Sequence, residues 1–295
     1  MTPPSSPARL PASLAIDDVS LRLIDMALTE DCGPGDWTTR WTVPARTRVH
    51  ATIIARADGV IAGTALAAAV FLRLEPRIDI DVIAGDGDMV RAGEPVIRLR
   101  GPGRGILTGE RVALNFLQHL SGVATLTRRF VDAVADTPAK ILDTRKTTPG
   151  WRTLEKAAVR SGGGENHRAG LYDMVLIKEN HKAIAGGLAG AVKRVRDQNT
   201  RNLPITVEVH SLEELDAALD ARVDRLLLDN FDTATIAHMV KRARRVKRPP
   251  LIEASGNMSL ERVREVAEAG VDFISVGALT HSAPAFDLSL LLEVP

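Results

Sequence analysis

The stretch "ITVEVHSLEELDAALDARVDRLLLDN", Ile205 to Asn230, decides the fold. It opens on a short β-branched run, 205–210, and closes on a second apolar run, 225–230. Between them Ser211 and Glu214 stand at the spacing of a capping box, which starts a helix. Strand, helix and strand in so short a span are the unit of a parallel sheet. The rhythm continues outward. "KILDT" (140–144) and "DMVLIK" (173–178) precede it; "LIEAS" (251–255) and "FISVG" (273–277) follow. Helical segments separate most of these runs. One starts at Ser259 and stops at Gly270, a residue suited to the C′ position. The pattern predicts an α/β barrel or a doubly wound sheet.

In an α/β barrel the chemistry lies at the C-terminal ends of the strands. The first run leads into Arg145 and Lys146, and the second ends at Lys178. The third contains Glu208, and the fourth ends at Asp229. The fifth leads into Ser255 and Gly256, and the sixth into Gly277. Cations of this kind meet an anionic substrate. Two carboxylates on neighbouring strands suit Mg²⁺, which is held against substrate phosphates through one or two such ligands and water. Small residues before a helix leave backbone N–H groups free for a phosphate. Plainer readings stand beside these. Glu208 pairs with Lys178 as a core ion pair; His167 is a satisfied loop histidine; Gly162 to Gly164 form a turn. A strand-end lysine, Lys146 or Lys178, also suits Schiff-base chemistry.

The segment 141–170 concentrates Arg145, Lys146, Arg152, Lys156, Arg160, His167 and Arg168 around those three glycines. Such a density of positive charge points to a ligand with several negative charges. It is local, because the chain of 295 residues carries a net charge of only +1. That balance, with 3% aromatic residues, argues against a nucleic-acid binder. The single cysteine, Cys32, excludes an internal disulfide and a cysteine zinc site, which suits a reducing cytoplasm. No apolar run is long enough to span a bilayer. "KRARRVKR" (241–248) reads as a solvated helix end whose cations complement the helix dipole.

The N-terminal half has a different texture. Residues 1–15, rich in Pro and Ser, read as a mobile tail. A helix is predicted over 17–31, capped by Asp17 and broken by Gly33, Pro34 and Gly35. Residues 49–100 alternate between short β runs and turns, with a helix at 63–75. "GDMVRAGEPVIRLRG" is similar to the hairpin of biotinyl and lipoyl carrier domains, but those present a lysine, and no lysine precedes Lys140. The stretch 108–136 predicts a long helix that Glu110 favours at its start and Gly122 interrupts.

The segments "EDCGPGDWTTR", "ERVALNFLQHLSGVAT", "DTRKTTPGWRTLEKAAVRSGGGENHRAGLYDMVLIKENH", "VEVHSLEEL", "LLLDN", "EASGNMSLERV" and "DFISVGALTHS" together resemble the quinolinate phosphoribosyltransferases, the carboxylating nicotinate-nucleotide pyrophosphorylases. The likeness runs from about Asp17 to Leu291. A relative encoded with molybdenum-transport proteins shares much of the pattern and takes a different substrate. The resemblance implies an N-terminal α/β sandwich over 16–114, to which 282–295 return, and an incomplete α/β barrel over 115–281. It implies a cytoplasmic homodimer in which one subunit's N-terminal domain covers the other's barrel mouth. The reaction implied is that of quinolinate with phosphoribosyl pyrophosphate, with Mg²⁺, giving nicotinate mononucleotide, pyrophosphate and CO₂. By the same resemblance Arg145, His167, Arg168 and Lys178 hold the quinolinate carboxylates, and Arg111 arrives from the second subunit. Lys146 touches the phosphoribosyl substrate, and Glu208 and Asp229 hold Mg²⁺ and the ribose or pyrophosphate. Ser255, Gly256 and Gly277 bind the 5′-phosphate, and His281 lies near the pyrophosphate. Two positions depart from the family's usual residues: Asn257 stands for a glycine and Ser161 for a cysteine.

Overall fold

The computed structural model describes residues 16–294. The tail expected at 1–15 lies outside them. The described chain divides into two compact units. One holds the chain through Leu126, Thr153–Gly163 and the segment from Ala283; the other holds Thr127–Arg152 and Gly164–Ser282.

The first unit begins with α1 (Asp18–Cys32) and α2 (Trp37–Thr42). Asp17 caps α1 by accepting from the Ser20 N–H at 2.7 Å, and Asp36 caps α2 from Thr39 at 2.9 Å. Then come β1 (Arg48–Ala55), β2 (Gly59–Val60), α3 (Thr64–Leu74), β3 (Asp79–Val82), β4 (Met89–Val90), β5 (Pro95–Pro102) and α4 (Gly103–Ala133), whose last residues, from Thr127, belong to the second unit. A four-stranded antiparallel sheet runs β12-β1-β5-β3, its last member being β12 (Leu288–Glu293). Alternation along β1 buries Val49, Ala51, Ile53 and Ala55 on one face. The Arg73 guanidinium grips both Asp25 oxygens and so ties α3 to α1.

Helix α4 departs from expectation at two points. It starts five residues earlier than Thr108, so Glu110 sits well inside it, away from its N-terminal dipole. Gly122 does not interrupt it. Its role is clearance: a Cβ there would stand 2.1 Å from the Pro284 carbonyl oxygen. The glycine admits a neighbouring backbone and the helix pays only the entropy.

The remaining elements are β6 (Lys140–Leu142), α5 (Arg152–Ser161), β7 (Val175–Ile177), α6 (Glu179–Ala185), α7 (Leu188–Gln198), β8 (Ile205–Val209), α8 (Leu212–Asp220), β9 (Arg225–Asp229), α9 (Thr233–Ala243), β10 (Leu251–Ser255), α10 (Leu260–Glu268), β11 (Phe273–Ser275) and α11 (Ala278–His281). All but most of α5 belong to the second unit. Its six strands are all parallel, in the order β6-β11-β10-β9-β8-β7, and its edge strands β6 and β7 do not pair with each other. The strand rhythm left a barrel and a doubly wound sheet open; this order, with the first strand beside the last, is that of the incomplete α/β barrel implied by the family resemblance. Each of the six apolar runs became a strand.

The register explains how this sheet carries polar chemistry. Val207, Leu226, Ile252 and Ile274 share one face with Val209, Leu228 and Ala254, and all are fully buried. Each such Val, Leu or Ile side chain contributes about 1.5–3 kcal/mol to folding. The other face, by the two-residue alternation of strands, carries Thr206, Glu208, Arg225, Asp229, Glu253, Ser255 and Ser275. Helices α8 and α10 lie against β8 and β11. Ser211 caps α8 as its spacing promised, accepting from the Glu214 N–H at 3.2 Å. The basic end of α9 is partly neutralised, Arg242 by Asp216 and Arg244 by Asp272. No helix among the described residues is long and apolar enough to cross a membrane.

Candidate active site

Helix α5 ends at the glycine run. Gly162 and Gly163 N–H groups close back on Ala158 and Arg160, and Gly163 takes φ +89°, the left-handed form that ends helices. The chain then runs beside β6: Glu165 N–H donates to the Ile141 carbonyl at 2.8 Å. This brings the next residues onto Asp143, which is fully buried at the end of β6. Its carboxylate accepts from the His167 N–H at 2.9 Å and the Asn166 amide at 2.5 Å. The glycines are therefore a helix stop that delivers His167 and Arg168 to the strand ends.

Arg168 donates to the Met174 carbonyl at 3.2 Å. Burial and then the charge of Arg145 push its guanidinium below the ordinary arginine value, while Asp173 and Glu253 oppose the shift. Like charges near one another favour an anion between them. Arg152 braces the loops that present them, donating to Thr147 and to the Ala169 carbonyl, each at 3.0 Å. On the far side Thr280 donates to the Lys146 carbonyl at 2.7 Å. Lys146, Gly277 and His281 converge: a Cβ on Gly277 would stand 3.2 Å from both Lys146 Cδ and His281 Nε2.

Lys178 ends β7 and reaches Glu208, its Nζ donating to Oε2 at 2.5 Å. His210 Nε2 lies 3.2 Å from the other Glu208 oxygen. The ion pair is thus present, but at the rim and not in the core, because the Lys178 side chain is half-exposed; it joins two residues assigned different roles by resemblance. Beneath them the buried Lys182 donates to the Glu208 carbonyl at 3.0 Å and to both Glu214 oxygens. Burial opposes ionisation of Glu214, but Lys182 and the His210 N–H together hold its carboxyl below the usual range.

Asp229 is half-buried at the end of β9, two residues further along the same face than the rung that pairs Glu208 with Leu227. Asn230 Nδ2 donates to it at 3.1 Å, and among the described residues it makes no ion pair. Next to it the Ser255–Asn257 loop folds onto Asn230. Gly256 holds φ +94°, and a Cβ there would meet Asn230 Oδ1 at 2.2 Å. Asn257 holds φ +48° and donates to the same Oδ1 at 3.3 Å. Asparagine is among the few residues that tolerate the left-handed region, which is why it can stand where glycine is usual. The N–H groups of Gly256, Asn257 and Gly277 have no protein acceptor among the described residues. Free N–H groups at a tight glycine turn form a concavity for phosphate.

Arg111 does not belong to the same unit as this set. It is exposed on α4, in the first unit, while the other predicted site residues lie in the second. Sequence reasoning passed over Glu253, Arg225, Ser275, Lys182 and Asp143, and it counted Arg152 only as one charge of the basic segment. A signal existed for Glu253, because a carboxylate in the middle of "LIEAS" is seldom fully buried unless it is partnered.

No group of three or more His, Cys, Asp or Glu side chains suited to a metal occurs among the described residues. The donor set still fits Mg²⁺ in its usual protein mode, one or two carboxylates with the rest of the shell from substrate and water. Asp229 fits directly. Glu208 fits with Lys178 displaced from one of its oxygens.

The fold and these strand ends define a class: an α/β protein that gathers cations, carboxylates and free backbone N–H groups at the strand ends of a parallel sheet. Comparison with known proteins agrees. The quinolinate phosphoribosyl transferase N-terminal domain description matches residues 36–121, and its C-terminal domain description matches residues 123–291. The chain belongs to the quinolinate phosphoribosyl transferase family. It is 43% identical over 290 residues to a probable carboxylating nicotinate-nucleotide pyrophosphorylase of Synechocystis, covering 98% of this chain and 97% of that one. Its identity to the Mycobacterium leprae carboxylating nicotinate-nucleotide pyrophosphorylase is 45%, over 92% of this chain and 97% of the relative. The nicotinate-nucleotide pyrophosphorylase structure from Francisella tularensis superposes with a TM-score of 0.90 at 40% identity, over 97% of this chain and all of that one.

Proposed function

We propose that this chain transfers the phosphoribosyl group of phosphoribosyl pyrophosphate to quinolinate with loss of CO₂, giving nicotinate mononucleotide and pyrophosphate. The observation that carries the reading is the convergence, on one polar sheet face and its rim, of cations, two carboxylates and free backbone N–H groups. That combination matches a dicarboxylate and a phosphorylated pyrophosphate together.

Arg145, Arg168 and Lys178 receive the quinolinate carboxylates; the planar arginine forks suit carboxylate geometry. The N–H groups of Gly256, Asn257 and Gly277 receive the 5′-phosphate, and Lys146 with His281 faces the pyrophosphate. As pyrophosphate departs, positive charge develops at the ribose C1, and the site's cations offset the charge on the leaving group. The pyridine nitrogen attacks C1, so no protein nucleophile is required. Arg168 and Arg145 hold the ring so that its nitrogen faces C1. The positive charge on the alkylated nitrogen then stabilises the electron pair left on the adjacent ring carbon when its carboxylate leaves as CO₂, and that carbon takes up a proton from water. Asp229, with Glu208, would hold Mg²⁺, which when bound neutralises pyrophosphate charge. Lys178 is a poor Schiff-base lysine here, since such a lysine sits desolvated or beside another cation and Lys178 instead faces Glu208.

The test is a product assay with Mg²⁺ and phosphoribosyl pyrophosphate, with quinolinate in one tube and nicotinate in another. The expected result is nicotinate mononucleotide and stoichiometric CO₂ from quinolinate, with little product from nicotinate. A folded protein that makes none from quinolinate overturns the reading.

The exposed Arg111 is assigned to the quinolinate site of a second subunit in a homodimer. Arg111→Ala and Lys146→Ala are each expected to be nearly inactive. Mixed dimers of the two are expected to recover part of the activity, because one of their two sites is then intact. Verified mixed dimers with no recovery would count against a shared site.

A further inference from the structure

His167 has both ring nitrogens engaged by the protein. Its Nδ1 accepts from the Arg168 N–H at 2.7 Å, so the ring proton sits on Nε2. Nε2 lies 3.2 Å from Glu253 Oε1. The His167 side chain is 8% exposed and that of Glu253 is 1% exposed, so neither exchanges this partner for bulk water. Glu253 is itself fixed. Ser275 Oγ donates to its Oε1 at 2.5 Å, and Arg225 donates to its Oε2 at 3.1 Å. The Arg225 guanidinium lies over the Phe273 ring, 4.2 Å from its centroid. Burial works against a charged Glu253, but the His167 and Ser275 hydrogen bonds and the Arg225 charge outweigh it and hold the carboxyl below its usual value.

We propose that Glu253 is a positioning residue: its buried carboxylate fixes the Nε2–H tautomer of His167, which leaves Nδ1 to hold the Arg168 backbone and so aims the Arg168 guanidinium at the substrate carboxylate. The inference rests on the function proposed above for its substrate. It gives His167 a definite task. With no ring N–H left to donate outward, the histidine acts on quinolinate through Arg168. A ring in the other tautomer would set N–H against N–H at Arg168 and push that segment away from Asp143. The arrangement follows a general rule for histidine, in which the partner of one nitrogen decides what the other can do.

The first measurement is the ¹⁵N spectrum of the histidine-labelled full chain at neutral pH, with His167 assigned by its loss in His167→Gln. A protonated Nε2 and an unprotonated Nδ1 are expected; an Nδ1–H ring or a tautomer mixture overturns the proposal. This result does not depend on activity, so it stands or falls apart from the proposed reaction. The second is Glu253→Gln. The KM for quinolinate is expected to rise about tenfold or more, as misaligned binding groups do. The KM for phosphoribosyl pyrophosphate is expected to stay within about twofold. A merely structural role would raise both or neither, and either outcome overturns the proposal. Added to His167→Gln, Glu253→Gln is expected to have little further effect on the quinolinate KM; full additivity overturns it. If the variant does not fold, the parent's tautomer decides alone. If the parent turns over no quinolinate, the proposed reaction fails while the tautomer still decides the role of Glu253.

Discussion

Asp229→Ala is expected to lower turnover about 10²–10³-fold while leaving the circular dichroism spectrum and melting transition near those of the parent. The size follows from what the residue would do, which is to help neutralise a departing pyrophosphate. The small structural cost follows from its surroundings. Asp229 is half-buried at a strand end, and among the described residues its side chain takes only a 3.1 Å contact from the neighbouring Asn230 amide. Glu208 makes a less clean test. It is 5% exposed and faces both Lys178 and His210, so Glu208→Ala also leaves those groups without their partner. Its loss therefore mixes metal binding with cation placement. Asp229→Ala separates them, and its residual activity should require more Mg²⁺ than the parent's. Unchanged turnover and unchanged Mg²⁺ dependence would sink the assignment of Asp229 to the metal.

The barrel half was legible because each of its strands is a short apolar run with a polar residue at its end. Register could not be read from the runs alone, yet register decides that Arg225, Glu208, Asp229 and Glu253 share a face. Hence Glu208 and Asp229 are legible as carboxylates near strand ends, while Glu253, two residues before the end of β10, carries no such mark. Its partners come from β9, β11 and the loop after α5, none adjacent in sequence. Gly122 failed for a related reason. Helix propensity is a local quantity, and the clearance required by Pro284 is not. The three glycines at 162–164 read in sequence as a flexible turn. Their use as a helix stop depends on α5 ending at Ser161, which the basic, charge-dense sequence conceals. Arg168 and Arg145 were legible as charges, but their mutual repulsion is a tertiary fact.

Gly256→Ala is expected to damage the enzyme out of proportion to one methyl group, whereas Asn257→Gly beside it is expected to leave turnover and substrate affinity within about twofold. Both positions have positive φ, +94° and +48°. A side chain in such a conformation costs on the order of 1–2 kcal/mol unless the residue is one that tolerates it. Asn257 does, and replacing it by glycine relieves rather than adds strain. At Gly256 a second cost is added. The new Cβ would lie 2.2 Å from Asn230 Oδ1 and 2.8 Å from Asn230 N, and the latter is backbone that already donates to the Ser255 carbonyl. The loop and Asn230 must part, and Asn230 is bonded to Asp229. The free N–H groups at Gly256 and Asn257 then lose their common aim. The KM for phosphoribosyl pyrophosphate should rise at least tenfold, because a displacement of about 1 Å in positioning groups is enough to cost that much. The quinolinate KM should change far less, since Arg145 and Arg168 are held by separate loops. A Gly256→Ala variant with parental affinity for phosphoribosyl pyrophosphate would remove this turn from the phosphate site and leave Gly277 as the remaining backbone donor there.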